Sequence, residues 1–140
     1  MARILSIDYG KKRTGLAVTD PLQIVPNGLT TVDTVDLFSF LSSYVHRENV
    51  ERIVIGEPKQ LNGDPSENHS RVLQFVARWR KAFPKIPIEC YDERFTSVLA
   101  HRAIIESGIG KKARRNKALV DEISATIILQ SYLDYRQDKK

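Results

Sequence analysis

Arg3-Ile-Leu-Ser-Ile-Asp8-Tyr-Gly10, followed after Lys11-Lys12-Arg13 by Thr14-Gly-Leu-Ala-Val-Thr19, is the stretch that decides the fold. An apolar run ends on a carboxylate, turns through Gly10 to Arg13, and returns as a second β-favouring run, which predicts a hairpin. Asp8 therefore closes the first strand, the place where open α/β sheets gather their ligand sites, and Gly10 lets the following backbone approach a bound group. Taken alone, Asp8-x-Gly10 also reads as the start of an ordinary turn.

Outward from the hairpin, Ile24 to Val32 reads as a third strand, interrupted by Pro26 and Gly28 in a way that suits an edge position or a bulge. Leu37, Phe40, Leu41, Tyr44 and Val45 recur at helical spacing, with Asp33 and Asp36 placed to favour the start. Arg52-Ile-Val-Ile-Gly-Glu57-Pro58 is a short continuous apolar run, as expected of a parallel strand covered on both faces. Pro65-Ser66-Glu67 opens a second helix with Val72, Phe75, Val76, Trp79 and Phe83 as its stripe, closed by Pro84. Ile86 to Tyr91 is the fifth strand. Thr96 or Ser97 caps a third helix ended by Gly108, and a basic loop to Lys117 leads into a final helix reaching about Tyr135. The order βββ-α-β-α-β-α-α predicts an α/β fold with a five-stranded mixed sheet, three antiparallel strands followed by parallel ones, flanked by helices. Residues 1–140 are expected to form one domain, with Gln137 to Lys140 as a frayed tail.

The 140 residues are 41% hydrophobic, enough for one continuous core. With 22 Lys and Arg against 17 Asp and Glu, the net charge is +5, and the surface should attract polyanions. Cys90 is the only cysteine, which excludes an internal disulfide and a Cys-based zinc site and suits a reducing compartment. The N-terminus reaches Asp8 too soon for a signal-peptide apolar region, and no apolar run approaches membrane-spanning length. A cytoplasmic protein without a membrane partner is expected.

A second acid belongs with Asp8. Asp121 shares a helix face with Ser124, Ala125, Ile128 and Tyr132, whose small members would let the last helix press on the sheet. Asp121 alone also fits a helix-dipole residue paired with Lys117. Ionised groups among core residues need partners or a metal, and two carboxylate-held Mg²⁺ or Mn²⁺ ions would hydrolyse phosphodiesters without a nucleophilic Ser, Cys or His. A third acid is then required, and Glu93 and Glu57 both close strands; Asp92 is a further candidate, though alternation sends Asp92 and Glu93 to opposite faces. His46, His69 and His101 lack metal-ligand spacing.

Positive charge gathers in Lys11-Lys12-Arg13, just after Asp8, and in Lys111-Lys112-Ala-Arg114-Arg115-Asn-Lys117, just before Asp121. Such runs are commonly solvated loops, but two that border both acids would also form a channel for a phosphate backbone.

Over nearly its whole length the chain resembles the YqgF family, also called RuvX, of RNase H-like nucleases. The resemblance rests on Asp8-Tyr-Gly10, Thr14-Gly-Leu-Ala-Val18, Ile53-Val-Ile-Gly56 with Pro58, Leu61-Asn-Gly63, Asp92-Glu-Arg-Phe-Thr-Ser97, and Lys117 to Asp121 with Ser124-Ala125 and Ile127-Ile-Leu129. It implies an RNase H-like sheet, with Asp8, Glu93 and Asp121 as catalytic, metal-binding acids and Arg94 and Lys117 as phosphate contacts. Where the family often has Gly-Leu-Pro this chain has Gly56-Glu57-Pro58, which makes Glu57 an additional or replacement acid.

The resemblance further implies a metal-dependent nuclease for the 5′ end of pre-16S ribosomal RNA, with the ribosomal particle as an associated partner. A Holliday junction resolvase acting on branched DNA is the alternative, and a non-catalytic RNA- or ribosome-binding protein is the alternative of another class. A resolvase favours a dimer, whereas a processing enzyme can act as a monomer. A phosphate-binding ATPase of the actin and Hsp70 type shares the Asp-x-Gly hairpin but needs two such domains.

Overall fold

The computed structural model describes residues 2–57, 69–92 and 117–138. They form a five-stranded sheet in the order β3-β2-β1-β4-β5. Strand β1 (Arg3–Asp8) is central. It pairs antiparallel with β2 (Arg13–Thr19), which pairs antiparallel with β3 (Pro26–Asp33). On its other side β1 pairs parallel with β4 (Val50–Glu57), and β4 pairs parallel with β5 (Ile88–Asp92). This is the mixed α/β sheet that the hairpin and the strand-helix alternation predict. The expected interruption of the third strand is also present: β3 lies at the sheet edge, and its register with β2 shifts between Leu16 and Ala17, opposite Thr30 and Gly28.

Strand alternation divides the core in two. Leu5, Ile7, Leu16, Ile53 and Ile55 face one way, against α1 (Leu37–Arg47) and α2 (His69–Ala82). Helix α1 follows a 3-10 turn, Thr34–Asp36, and its start differs from expectation: Asp33 precedes the turn and Asp36 precedes the helix, but neither makes a side-chain cap bond. Helix α2 contributes Val72, Phe75, Val76 and Trp79, the apolar stripe read from the sequence. Trp79 is fully buried and its indole N–H donates to the Ile86 carbonyl at 3.1 Å, so its polar atom is satisfied inside the core. Truncating such a side chain costs about 3–5 kcal/mol.

On the opposite face Ile4, Ala17 and Val54 meet Ala125, Ile128, Leu129, Tyr132 and Leu133 of α3 (Lys117–Asp138). At 1.5 Å per residue this helix is about 33 Å long. It crosses β1, β2 and β3. Among the described residues no helix is long and apolar enough to cross a membrane. Cys90 lies on β5 and is not in a disulfide.

Candidate active site

Two polar contacts fix where α3 sits along β1. The buried Ser6 hydroxyl donates to the Ala125 carbonyl at 2.6 Å. From that anchor, two residues further along β1 reach Asp8 on the same strand face, a rise of about 6.6 Å. Four residues back along α3 reach Asp121 on the same helix face, a rise of about 6 Å. The Ser6 to Ala125 bond ties the strand that ends in Asp8 to the helix that carries Asp121.

Gly15 is the second fixing point. It is the antiparallel partner of Asp8, and a Cβ placed on it would lie 2.1 Å from the Asp121 carbonyl oxygen and 3.0 Å from the Asp121 Cβ. Only a residue without a side chain admits the first turns of α3 this close. One glycine thus separates the strand that carries Asp8 from the helix that carries Asp121.

Arg13, the first residue of β2, completes this corner. Its Nε donates to Asp121 Oδ2 at 2.9 Å, with the arginine side chain 36% and the aspartate side chain 21% exposed. Arg13 and Gly15 are two residues apart and share a strand face, which is why the guanidinium reaches the carboxylate that lies over Gly15. The sequence places Arg13 with its lysine neighbours as a phosphate contact and offers Lys117 as a partner of Asp121; the Lys117 side chain lies outside the described residues. The structure gives Asp121 to Arg13.

Lys11 and Lys12 are exposed in the turn between β1 and β2. That turn is held tightly: a Cβ on Gly10 would meet the Arg13 carbonyl oxygen at 2.1 Å. Thr34 also ties it down, donating its hydroxyl to the Gly10 carbonyl at 2.6 Å and its backbone N–H to the Lys12 carbonyl at 2.9 Å.

Glu57 ends β4 and pairs in register with Asp92, the last residue of β5, so both strands close at the sheet edge where β1 ends in Asp8. Glu93, Arg94, Lys111, Lys112, Arg114 and Arg115 lie outside the described residues, as does the expected third helix; Lys117 is placed only as the first residue of α3. The choice between Glu57 and Glu93 as third acid therefore falls beyond the described region.

The arrangement suits a hard divalent cation. Carboxylate oxygens are the donors that Mg²⁺ and Mn²⁺ take. The space that a Cβ at Gly15 would fill is what lets Asp121 stand over β2 at the residue paired with Asp8. Among the described residues no three acids, histidines or cysteines cluster as a complete metal site.

A central strand ending in an acid, an antiparallel hairpin beside it, parallel strands beyond, and a last helix returning a second acid define an RNase H-like nuclease. The family profile of RuvX, described as a Holliday junction resolvase, matches residues 2–135, and the chain belongs to that family. A protein of Phocaeicola vulgatus is 62% identical, the match covering 98% of this chain and 99% of the relative. Relatives from Bacteroides thetaiotaomicron, 59% identical over 98% and 99%, and Porphyromonas gingivalis, 61% identical over 96% and 97%, are equally extensive. All three carry the name "Putative pre-16S rRNA nuclease". The family expected from the sequence motifs is thus the family found.

Proposed function

We propose that this chain is a metal-dependent nuclease that cleaves phosphodiester bonds in the 5′ leader of pre-16S ribosomal RNA, in the cytoplasm, during ribosome assembly. The observation that supports the reading is that Asp121 lies against Gly15, the antiparallel partner of Asp8. The names of the close relatives direct it to pre-16S RNA.

Asp8 and Asp121, with Glu93 or Glu57 as third acid, would hold the metal ions. Two bound Mg²⁺ or Mn²⁺ ions supply an activated water on one side of the phosphorus and charge stabilisation of the leaving oxygen on the other. The remaining work belongs to the protein. Arg13 fixes the carboxylate of Asp121, as a group held in one rotamer must be for in-line geometry. Lys11 and Lys12, on a turn that Thr34 ties down, draw the phosphate backbone to the sheet edge. Arg94, Lys111, Lys112, Arg114, Arg115 and Lys117 extend that attraction along the substrate.

The family description favours a second reading, resolution of a four-way DNA junction. One experiment separates the two. End-labelled RNA spanning the pre-16S leader and a four-way DNA junction are incubated with the protein and with Asp8→Asn, in Mn²⁺ and in chelator. Metal- and Asp8-dependent cuts in the RNA alone support the proposal, and paired cuts in the junction support the resolvase. Equal behaviour of the protein and Asp8→Asn on both substrates leaves a non-catalytic RNA- or ribosome-binding module as the better account.

A further inference from the structure

On the far side of β1 from Asp121, a cleft of about 410 Å³ opens beside the residue that follows Asp8. Its volume falls within the roughly 300–1,000 Å³ range of sites that hold small organic groups. Tyr9 forms one wall, and its ring lies 5.9 Å from that of Phe75 on α2. Phe38 of α1 packs edge-on against the same Phe75 at 6.2 Å. The cleft therefore has an aromatic floor of three rings drawn from three elements.

Its rim is cationic. Arg71 and Arg78 both line the cleft, two helical turns apart on one face of α2. The Arg78 guanidinium carbon lies 3.8 Å from the centre of the Phe38 ring, a cation–π contact that holds the planar group in place. Arg71 is near enough to Tyr9 to oppose the upward shift that burial gives the phenol. Among the described residues neither arginine is part of a salt bridge.

The cleft is also joined to the catalytic edge. Thr34 lines it and is the residue that holds the Gly10–Lys12 turn, and Tyr9 is covalently next to Asp8, one Cα step of about 3.8 Å away.

We propose that the cleft takes one unpaired nucleotide of the substrate strand, adjacent to the cleaved bond, with its base against the aromatic floor and its phosphate between Arg71 and Arg78. The inference rests on the nuclease reading given above. Aromatic rings offer every base a stacking face without reading its identity, and arginine forks match phosphate oxygens. A paired base has its face covered by its neighbours in the helix, so the cleft selects an unpaired or flipped-out nucleotide. That gives the enzyme a preference for junctions between single-stranded and folded segments.

The test uses the full chain carrying Asp8→Asn, so that substrate survives, and a short fluorescein-labelled single-stranded RNA of pre-16S leader sequence. Anisotropy across a salt series is compared for this parent, for Arg71→Gln with Arg78→Gln, and for Val35→Glu. Val35 lines the cleft yet is 92% exposed, so the added carboxylate leaves the core untouched. The expected result is a loss of affinity of roughly fivefold or more in both variants, and for the double arginine variant a salt slope smaller by about 0.7, the share of one single-strand phosphate contact. A blunt RNA duplex should bind all three proteins alike. Unchanged single-strand affinity in both variants, or an equal loss on the duplex, overturns the cleft assignment. Cleavage assays on the same substitutions with Asp8 intact keep the two readings apart. If the unmutated protein cuts and the cleft variants with Asp8 intact bind and cut as it does, the cleft alone is wrong; if the unmutated protein cuts neither RNA nor junction, the nuclease proposal fails independently.

Discussion

The Arg13 guanidinium holds the Asp121 carboxylate at 2.9 Å across a separation of 108 residues in sequence. Among the described residues the ion-pair partner of Asp121 is thus a cation from the hairpin. The contact fixes one carboxylate oxygen and sets a positive charge beside the carboxylate that we propose as a metal ligand.

Replacing Arg13 with Gln should therefore have opposite effects on two ligands. Mn²⁺ binding, measured by calorimetry, should tighten by roughly two- to thirtyfold, because partly exposed unit charges couple by about 0.2–1 kcal/mol and a divalent ion doubles that repulsion. Single-stranded RNA binding should weaken, since one cation at the sheet edge is gone. Tighter RNA binding, or weaker Mn²⁺ binding, would show that Arg13 does not act as a competing charge.

Asp8→Asn and Asp121→Asn should each abolish cleavage while far-ultraviolet circular dichroism stays unchanged. Carboxylate repulsion alone would lead one to expect a gain in stability from either change. The Arg13 pair removes that reason at Asp121: losing a partly exposed ion pair should lower stability by about 0–1 kcal/mol in urea titration. A clear rise in the urea midpoint of Asp121→Asn would mean that the ion pair contributes nothing in solution.

Gly15→Ala should be more harmful than a single methyl suggests. Its Cβ would meet the Asp121 carbonyl oxygen at 2.1 Å, so α3 must retreat or β2 must bend. Overpacking of this kind costs about 1–3 kcal/mol. Separating the two acids by even a fraction of an ångström should lower cleavage far more than the stability loss explains, as misplacement by about 1 Å can cost on the order of 100-fold. Wild-type turnover in a folded Gly15→Ala protein would rule out Gly15 as the spacer.

Much of this architecture is legible in the sequence because its signals are local. The Asp8-to-Thr14 turn, the edge strand carrying Pro26 and Gly28, and the stripe of Val72, Phe75, Val76 and Trp79 each follow from a few adjacent residues. Element ends are less legible, since pairing sets them: β4 begins at Val50 instead of Arg52 because Val50 finds Arg3 across the sheet. The site is only half legible. Asp8 and Asp121 stand out as acids among apolar residues, but what joins them is long-range docking through Ser6, Ala125 and Gly15, small residues with no periodic signature. Periodicity likewise finds the apolar stripe of α2 and is blind to Arg71 and Arg78, which border it and acquire meaning only beside Tyr9 and Phe38.

The turn between β2 and β3 gives a prediction independent of catalysis. Asp20 accepts three backbone N–H groups, from Leu22 at 3.0 Å, Ile24 at 2.9 Å and Val25 at 2.7 Å. These bonds, that from Val25 foremost, favour the charged carboxylate and hold its pKa below the ordinary value of 3.8. Because the folded value is depressed, the stabilisation is fully present above the ordinary carboxylate pKa and is lost as pH falls through the lower, folded one. The turn also holds Gln23 at a φ of 60°, a left-handed conformation that a non-glycine residue keeps only when its neighbours are fixed. Asp20→Ala should therefore remove hydrogen-exchange protection at the Leu22, Ile24 and Val25 amides at neutral pH, while the amides of β1 keep theirs. In the unmutated protein, two-dimensional NMR should show these three amides shifting together, and only below the ordinary carboxylate range. Shifts that begin near neutral pH, or Asp20→Ala amides that keep full protection, would show that the turn is held by something other than the Asp20 carboxylate.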